Sequence, residues 1–112
     1  MDVSIVIPTK NGGALFRQVL EAVFAQETSY SYEVICVDSG SKDGTLDVIK
    51  SYPCKLHQIP AEEFGHGKTR NYGAAQGTGT YIAFITQDAL PATKTWLQNF
   101  IDAMRLDPEI VG

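Results

Sequence analysis

Short β-branched runs alternate with helical segments four times along this chain, and this alternation restricts the folds open to it. The strand-like runs cover residues 3–7, 33–37, 55–59 and 81–85. Helical segments follow them, at about 15–26, 45–52, 68–76 and 95–105, with apolar residues at helical spacing in the first and the last, while 64–67 (Phe-Gly-His-Gly) is predicted to be irregular. The pattern predicts an α/β fold: a three-layer α/β/α sandwich with a mainly parallel sheet.

Length and charge exclude several classes of protein. With 112 residues, 44% hydrophobic, the chain is expected to form one globular domain, residues 1–112, rather than a disordered segment. Nine basic against thirteen acidic residues leave a net charge of −4, which argues against a nucleic-acid partner. No apolar run reaches the roughly 18–20 residues of a transmembrane segment. We therefore expect a cytoplasmic chain, or one lying peripherally at the inner face of a membrane.

The ends of the predicted strands are the places where a ligand site is expected. Parallel α/β sheets bind ligands beyond the carboxyl ends of their strands. Those ends hold Pro8 and Thr9, residues 38–41 (Asp-Ser-Gly-Ser), the segment after Ile59, and residues 86–88 (Thr-Gln-Asp). Polar or acidic groups at three of four strand ends predict one polar site at that edge.

A phosphate-binding P-loop is a weaker interpretation of residues 65–69, Gly-His-Gly-Lys-Thr. That motif needs a further glycine five residues before Gly67, where this chain has Glu62, whose carboxylate would repel a phosphate. A P-loop nucleotide hydrolase is kept as the less favoured alternative.

Three segments carry a more specific resemblance. VSIVIPTKN, EVICVDSGSKDGT and HGKTRNYGAAQGTGTYIAFITQDA stand in the order and spacing of glycosyltransferase family 2. The chain resembles the N-terminal, nucleotide-sugar-binding part of a GT-A glycosyltransferase with a Rossmann-like half, most closely the bacterial rhamnosyltransferases. The resemblance implies inverting transfer of a sugar from a UDP- or dTDP-linked donor to a hydroxyl of a saccharide or lipid-linked acceptor, in bacterial cell-surface polysaccharide synthesis.

The resemblance also implies roles for individual residues around the nucleotide. Asp38 would accept the N3–H of uracil or thymine, with Ser39 at a position where the family often has a second acid. Pro8 and Thr9 would pack on the base and ribose. Two plainer interpretations remain open, an Asp38 that caps the following turn and a Pro8 that closes a strand. The remaining predicted nucleotide-sugar contacts are Arg70 and Asn71, at the start of a helix facing the diphosphate, and Gln87.

A divalent cation, Mg²⁺ or Mn²⁺, is implied at residues 86–88. Family members usually have Asp-x-Asp here, and Asp88 aligns with the acid that binds the metal bridging the two phosphates. Hard cations of this kind take oxygen ligands, and one or two carboxylates plus substrate phosphates suffice. Thr86 replaces the first acid, which predicts weaker metal affinity in the absence of nucleotide.

No catalytic base is identified in this sequence. The resemblance places it in the acceptor-binding half, beyond residues 1–112, so the chain is expected to bind donor rather than to turn it over. Surfaces that the second half would cover are expected to be apolar and to favour a homodimer or swapped assembly. A catalytically degenerate nucleotide-binding module remains the main alternative.

Overall fold

Strands and helices alternate throughout the computed structural model, which describes residues 2–60, 66–91 and 93–106. The strands are β1 (Val3–Thr9), β2 (Tyr32–Asp38), β3 (Lys55–Gln58) and β4 (Tyr81–Phe84). The helices are α1 (Gly13–Phe24), α2 (Thr45–Lys50), α3 (His66–Gln76) and α4 (Trp96–Leu106). The strands pair in the order β3-β2-β1-β4, all parallel.

The sheet is covered by helices on both faces, because successive strand residues point to opposite sides. Val3, Ile5 and Ile7 of β1 join a large buried cluster that also contains side chains of α1, α2 and α4. Val6 belongs instead to a smaller buried cluster on the other face, together with Ile35 of β2. Helix α3 packs on this second face. The predicted three-layer α/β fold with a parallel sheet is therefore confirmed.

Helix α3 lies unusually close to the sheet at Gly73. A Cβ atom at this position would come within 2.3 Å of Cγ1 of Val6 and 3.3 Å of Cγ2 of Val37. Only a residue without a side chain permits this approach. Along α3 the chain runs back from the carboxyl edge of the sheet towards its amino edge, since Gly73 lies over Val6 and Gly77 over Ser4. The start of α3 therefore lies at the carboxyl edge of the sheet.

Two local predictions were wrong. Strand β1 continues through Pro8 to Thr9, although proline was expected to end it. Pro8 is tolerated because β4 no longer pairs with β1 beyond Val6, so the missing N–H faces no strand. His66 and Gly67 are helical, although 64–67 was predicted to be irregular; residues 64 and 65 lie outside the described residues. Glycine is costly mainly in the middle of a helix, and Gly67 lies in the first turn of α3.

The direction in which strands are added to the sheet reverses between β1 and β4. The chain builds β1, β2 and β3 outward in one direction, then crosses through α3 to place β4 on the other side of β1. Such a reversal of direction is the usual ligand-binding position in open α/β sheets. Among the described helices, none is long and apolar enough to cross a membrane.

Candidate functional site

Thr9 and Asp38 meet at the carboxyl ends of two neighbouring strands. They are register partners in β1 and β2, and Oγ1 of Thr9 donates a hydrogen bond to Oδ1 of Asp38 at 2.8 Å. Each residue is only 1% exposed. Ser39 follows, fully buried, with its N–H donating to the Thr9 carbonyl at 3.0 Å. Three of the predicted site residues thus form one connected group.

The Asp38 carboxylate organises the turn that follows it. Oδ2 accepts the backbone N–H groups of Gly40 and Ser41 at 3.0 and 2.9 Å, and Oδ1 accepts the Ser41 hydroxyl as well as that of Thr9. Burial alone would raise the pKa of Asp38, but the hydrogen bonds from Ser41, Thr9 and Gly40 outweigh it and the pKa lies below its usual value. Asp38 therefore caps this turn as a carboxylate, and its contact with a base stays a prediction.

The loops after β1 and β2 interlock, which sequence reasoning did not predict. Asn11 has a positive φ of 49°. Its N–H donates to Oγ of Ser41 at 2.9 Å, and its side-chain oxygen accepts the N–H of Lys42 at 2.7 Å. The N–H of Gly12 donates to Oγ1 of Thr45 at 2.9 Å. Turn-forming residue types in both segments were the available signal, but they do not identify partners about thirty residues away.

Asp88 lies at the same edge of the sheet, in the turn that follows β4. It is exposed, and Oδ1 accepts the hydroxyl of Thr86 at 2.8 Å. No group of three or more His, Cys, Asp or Glu side chains suited to a metal occurs within the described residues. One exposed carboxylate still fits Mg²⁺ or Mn²⁺ when substrate phosphates supply further oxygen ligands. The donor set thus fits a cation bound together with a diphosphate.

Gln87 is held by the backbone at the end of β1. Its Oε1 accepts the N–H of Lys10 at 2.8 Å, and its Nε2 donates to the carbonyl of Lys10 at 3.0 Å. Both ends of the side-chain amide are therefore engaged within the protein. The predicted contact of Gln87 with the nucleotide sugar stays a prediction.

Asn71 and Arg70 belong to α3, whose first turns lie at the carboxyl edge of the sheet. Asn71 is exposed, while the side chain of Arg70 lies outside the described part of the structure. Gly73, three residues after Arg70, packs over Val6, so the helix places Arg70 about 4.5 Å nearer the carboxyl edge. The backbone position agrees with the predicted role, which stays a prediction.

The structure brings most predicted site residues to one edge. Pro8, Thr9, Asp38 and Ser39 lie at the ends of β1 and β2, and Asp88 follows β4 on the other side of β1. Pro8 is half-buried. Thr9, Asp38 and Asp88, far apart in sequence, therefore lie on either side of the reversal between β1 and β4.

Comparison with known proteins gives a consistent family. The model of glycosyl transferase family 2 matches residues 4–112. The chain is 36% identical over 103 residues to the O-antigen chain rhamnosyltransferase RfbN of Salmonella typhimurium, covering 90% of this chain and 32% of that protein. It is 29% identical over 99 residues to the O-antigen chain rhamnosyltransferase WbaN of Salmonella anatum, covering 88% of this chain and 31% of that protein. The chain spans about a third of the length of these relatives.

Solved structures resemble the chain over nearly its whole length. The crystal structure of S. aureus TarS 1-349 in complex with UDP-GlcNAc superposes with a TM-score of 0.81 at 26% identity, covering 95% of this chain and 32% of that chain. The mannosyltransferase PcManGT from Pyrobaculum calidifontis, in complex with GDP-Man and Mn²⁺, gives 0.78 at 26% identity, covering 96% and 33%. The family match and the two rhamnosyltransferase relatives confirm the predicted resemblance to glycosyltransferase family 2 and to bacterial rhamnosyltransferases. From its sequence and its fold, the chain belongs to glycosyl transferase family 2.

Proposed function

We propose that this chain forms the donor-binding part of an inverting glycosyltransferase that moves a sugar from a nucleoside diphosphate to an acceptor hydroxyl. The observation that carries the proposal is the reversal of strand order between β1 and β4, where a ligand-binding crevice is expected. Thr9 and Asp38 lie on one side of it, and the exposed carboxylate of Asp88 follows β4 on the other. A nucleotide in this crevice would lie between the buried polar group and the proposed metal ligand.

The residues divide into three groups by the part of the donor they would bind. Pro8, Thr9, Asp38 and Ser39, at the ends of β1 and β2, are proposed to form the side that takes the base and ribose. Arg70 and Asn71, at the start of α3, are proposed to face the diphosphate, where an arginine can bind two phosphate oxygens at once. Asp88 is proposed to hold the divalent cation. When bound, that cation would supply positive charge against the departing diphosphate.

Similar proteins support a nucleotide-sugar donor. TarS was crystallised with UDP-GlcNAc and PcManGT with GDP-Man and Mn²⁺. For this chain we propose a UDP- or dTDP-linked donor and a saccharide or lipid-linked acceptor in cell-surface polysaccharide synthesis, because two similar proteins are O-antigen rhamnosyltransferases. The chain spans about a third of those proteins, so we propose that it binds donor by itself and that the acceptor site and catalytic base belong to a further part.

Calorimetric titration tests the proposal. UDP, dTDP, GDP and ATP are titrated into the chain with and without Mn²⁺, and UDP-GlcNAc and dTDP-rhamnose are then compared. We expect UDP or dTDP to bind at least 10-fold more tightly with Mn²⁺, and this gain to disappear in Asp88→Ala. Asp47→Ala is the matched control, because Asp47 is an exposed carboxylate on α2.

Three outcomes would contradict the proposal. Nucleotide affinity that is unchanged by Mn²⁺ and by Asp88→Ala would favour the degenerate nucleotide-binding module. A preference for ATP that is lost in Lys68→Ala but unaffected by Asp38→Asn would favour the P-loop hydrolase. Failure to bind any nucleoside diphosphate would exclude a donor site in this chain.

A further inference from the structure

The pairing between β1 and β4 stops before β1 ends, which leaves a gap along β1. Their register stops at Val6 opposite Phe84, and the N–H of Ile85 donates to the carbonyl of Val6 at 3.1 Å. Strand β1 then continues to Thr9 with β2 as its partner. Among the described residues, therefore, no strand pairs with β1 on the β4 side beyond Val6.

Pro8 occupies the middle of this gap. Every second residue of a strand directs its backbone groups to the same side, so Pro8 and Lys10 face the side on which Val6 meets Ile85. Pro8 has no N–H, and a strand partner could not complete the ladder at this point. The gap is thus built into the sequence of β1.

The side chain of Gln87 closes the far end of the gap. Its amide pairs with both backbone groups of Lys10, at 2.8 and 3.0 Å, as the peptide group of a neighbouring strand would. The space for it depends on Gly12, because a Cβ there would lie 3.1 Å from Oε1 of Gln87 and 2.7 Å from Cβ of Phe16. Gln87 therefore ties the turn after β4 to the loop after β1.

We propose that Gln87 is a positioning residue, which holds the turn carrying Asp88 at a set distance from the end of β1. This inference rests on the proposed function. Gln87 lies between Thr86 and Asp88. Two hydrogen bonds close the same turn: the Thr86 hydroxyl donates to Asp88, and the Ala89 N–H donates to the Thr86 carbonyl at 3.1 Å. With its amide occupied by Lys10, Gln87 acts on the diphosphate and its cation through Asp88.

Substitution of Gln87 separates this role from direct contact with the nucleotide. Gln87→Met keeps the length of the side chain and removes both hydrogen bonds. We expect faster hydrogen exchange at the Lys10 N–H, and a loss of about 10-fold in UDP affinity measured with Mn²⁺. UDP affinity without Mn²⁺ should not change. Gln18→Met, on an exposed glutamine of α1, is the matched control.

A second variant and a double variant sharpen the test. Gln87→Asn keeps an uncharged amide but shortens the side chain by one methylene, so it can no longer reach both backbone groups of Lys10 and should reproduce the loss even if the methionine variant folds poorly. In the Asp88→Ala background, Gln87→Met should have no further effect on UDP affinity, since the two residues act through one contact.

Other results would overturn the inference. Weaker UDP binding both with and without Mn²⁺, persisting in the Asp88→Ala background, would mean that Gln87 contacts the nucleotide directly. Wild-type affinity and wild-type exchange at Lys10 in both variants would mean that the pairing positions nothing. If the wild-type chain gains no affinity from Mn²⁺, the proposed function itself fails and this inference fails with it.

Discussion

Glu33 is a buried carboxylate at the amino edge of the sheet, opposite the candidate site. Its side chain is 7% exposed. Oε2 accepts the hydroxyl of Ser4 at 2.6 Å and both the N–H and the hydroxyl of Thr78 at 2.7 and 2.8 Å, and Oε1 pairs with Nζ of Lys55 at 2.6 Å. Burial alone would raise the pKa of Glu33, but Lys55, Ser4 and Thr78 together lower it to about 2. The carboxylate of Glu33 on β2 therefore links the segment between α3 and β4 to β1 and β3.

Replacement of Glu33 by glutamine should destabilise the fold in a pH-dependent way. The pKa falls from 4.5 to about 2 on folding, so the charged form stabilises the protein above pH 4.5 and this contribution is lost as the pH drops towards 2. We expect a loss of about 2 kcal/mol at pH 7, below the full value of the shift because Lys55 is half exposed. Urea unfolding of both proteins at pH 7 and pH 2.5 measures it. Glu27→Gln, on an exposed residue, is the control, and a deficit that stays constant with pH would contradict the assignment.

Thr86 tests the predicted weakness of the metal site. Its hydroxyl donates to Asp88 and stands where family members usually have the first acid. Thr86→Asp adds a carboxylate ligand, so Mn²⁺ affinity without nucleotide should rise, by about 10-fold or 1.4 kcal/mol. Mn²⁺ titration followed by electron paramagnetic resonance measures it. Thr86→Val, which removes the hydroxyl without adding charge, should show no gain, and equal affinities in all three proteins would contradict the placement of the metal.

At the scale of secondary-structure elements, the close approach of α3 to the sheet depends on Gly73. Gly73→Ala places a methyl group 2.3 Å from Cγ1 of Val6, so α3 must move outward. We expect a loss of about 2 kcal/mol in the free energy of unfolding, although alanine favours the helix by about 1 kcal/mol. Because α3 carries Arg70 and Asn71, UDP affinity should fall as well. Denaturant unfolding and calorimetry measure the two effects.

Gly44→Ala is the matched control for Gly73. A Cβ at Gly44 meets nothing within 4 Å, and its φ is −78°. This change should cost less than about 1 kcal/mol, the usual effect at a helix N-cap. If the two alanine variants were equally stable, the close approach of α3 to the sheet would not exclude a side chain at position 73.

The whole molecule is predicted to self-associate, and β4 indicates where. It is an edge strand of the described sheet, and the nearby Phe84 and Leu90 are 39% and 49% exposed. We expect a concentration-dependent dimer in light scattering, weakened by Leu90→Asp because burying a charge in an apolar contact is costly. Leu15→Asp, on a leucine of α1 that is 42% exposed, should leave it unchanged. A monomer at millimolar concentration would contradict the prediction.

The sequence alone predicted the features that depend on residues close together along the chain. Short β-type runs identified the four strands, and apolar residues at helical spacing identified the first and last helices, because such elements need an apolar face of a given period. The order of these elements predicted the parallel sheet. The polar residues after the strands predicted a site at which Thr9, Asp38, Arg70 and Asp88 converge, and of these Thr9 and Asp38 are in contact. Pro8 within a strand was missed, since its tolerance depends on where pairing with β4 ends rather than on local propensity. The helical state of His66 was missed as well.

Pairing between distant residues was decided only by the tertiary structure. The amide of Gln87 meets the backbone of Lys10 across 77 residues, and Glu33 meets Thr78 across 45. Glutamine and glutamate side chains are compatible with many partners, and their residue types do not specify which one they will have. Strand order and the approach of α3 at Gly73 bring the partners together. At Glu33, which is buried, the paired arrangement is favoured because an unpaired polar group inside the protein loses its hydrogen bonds to water.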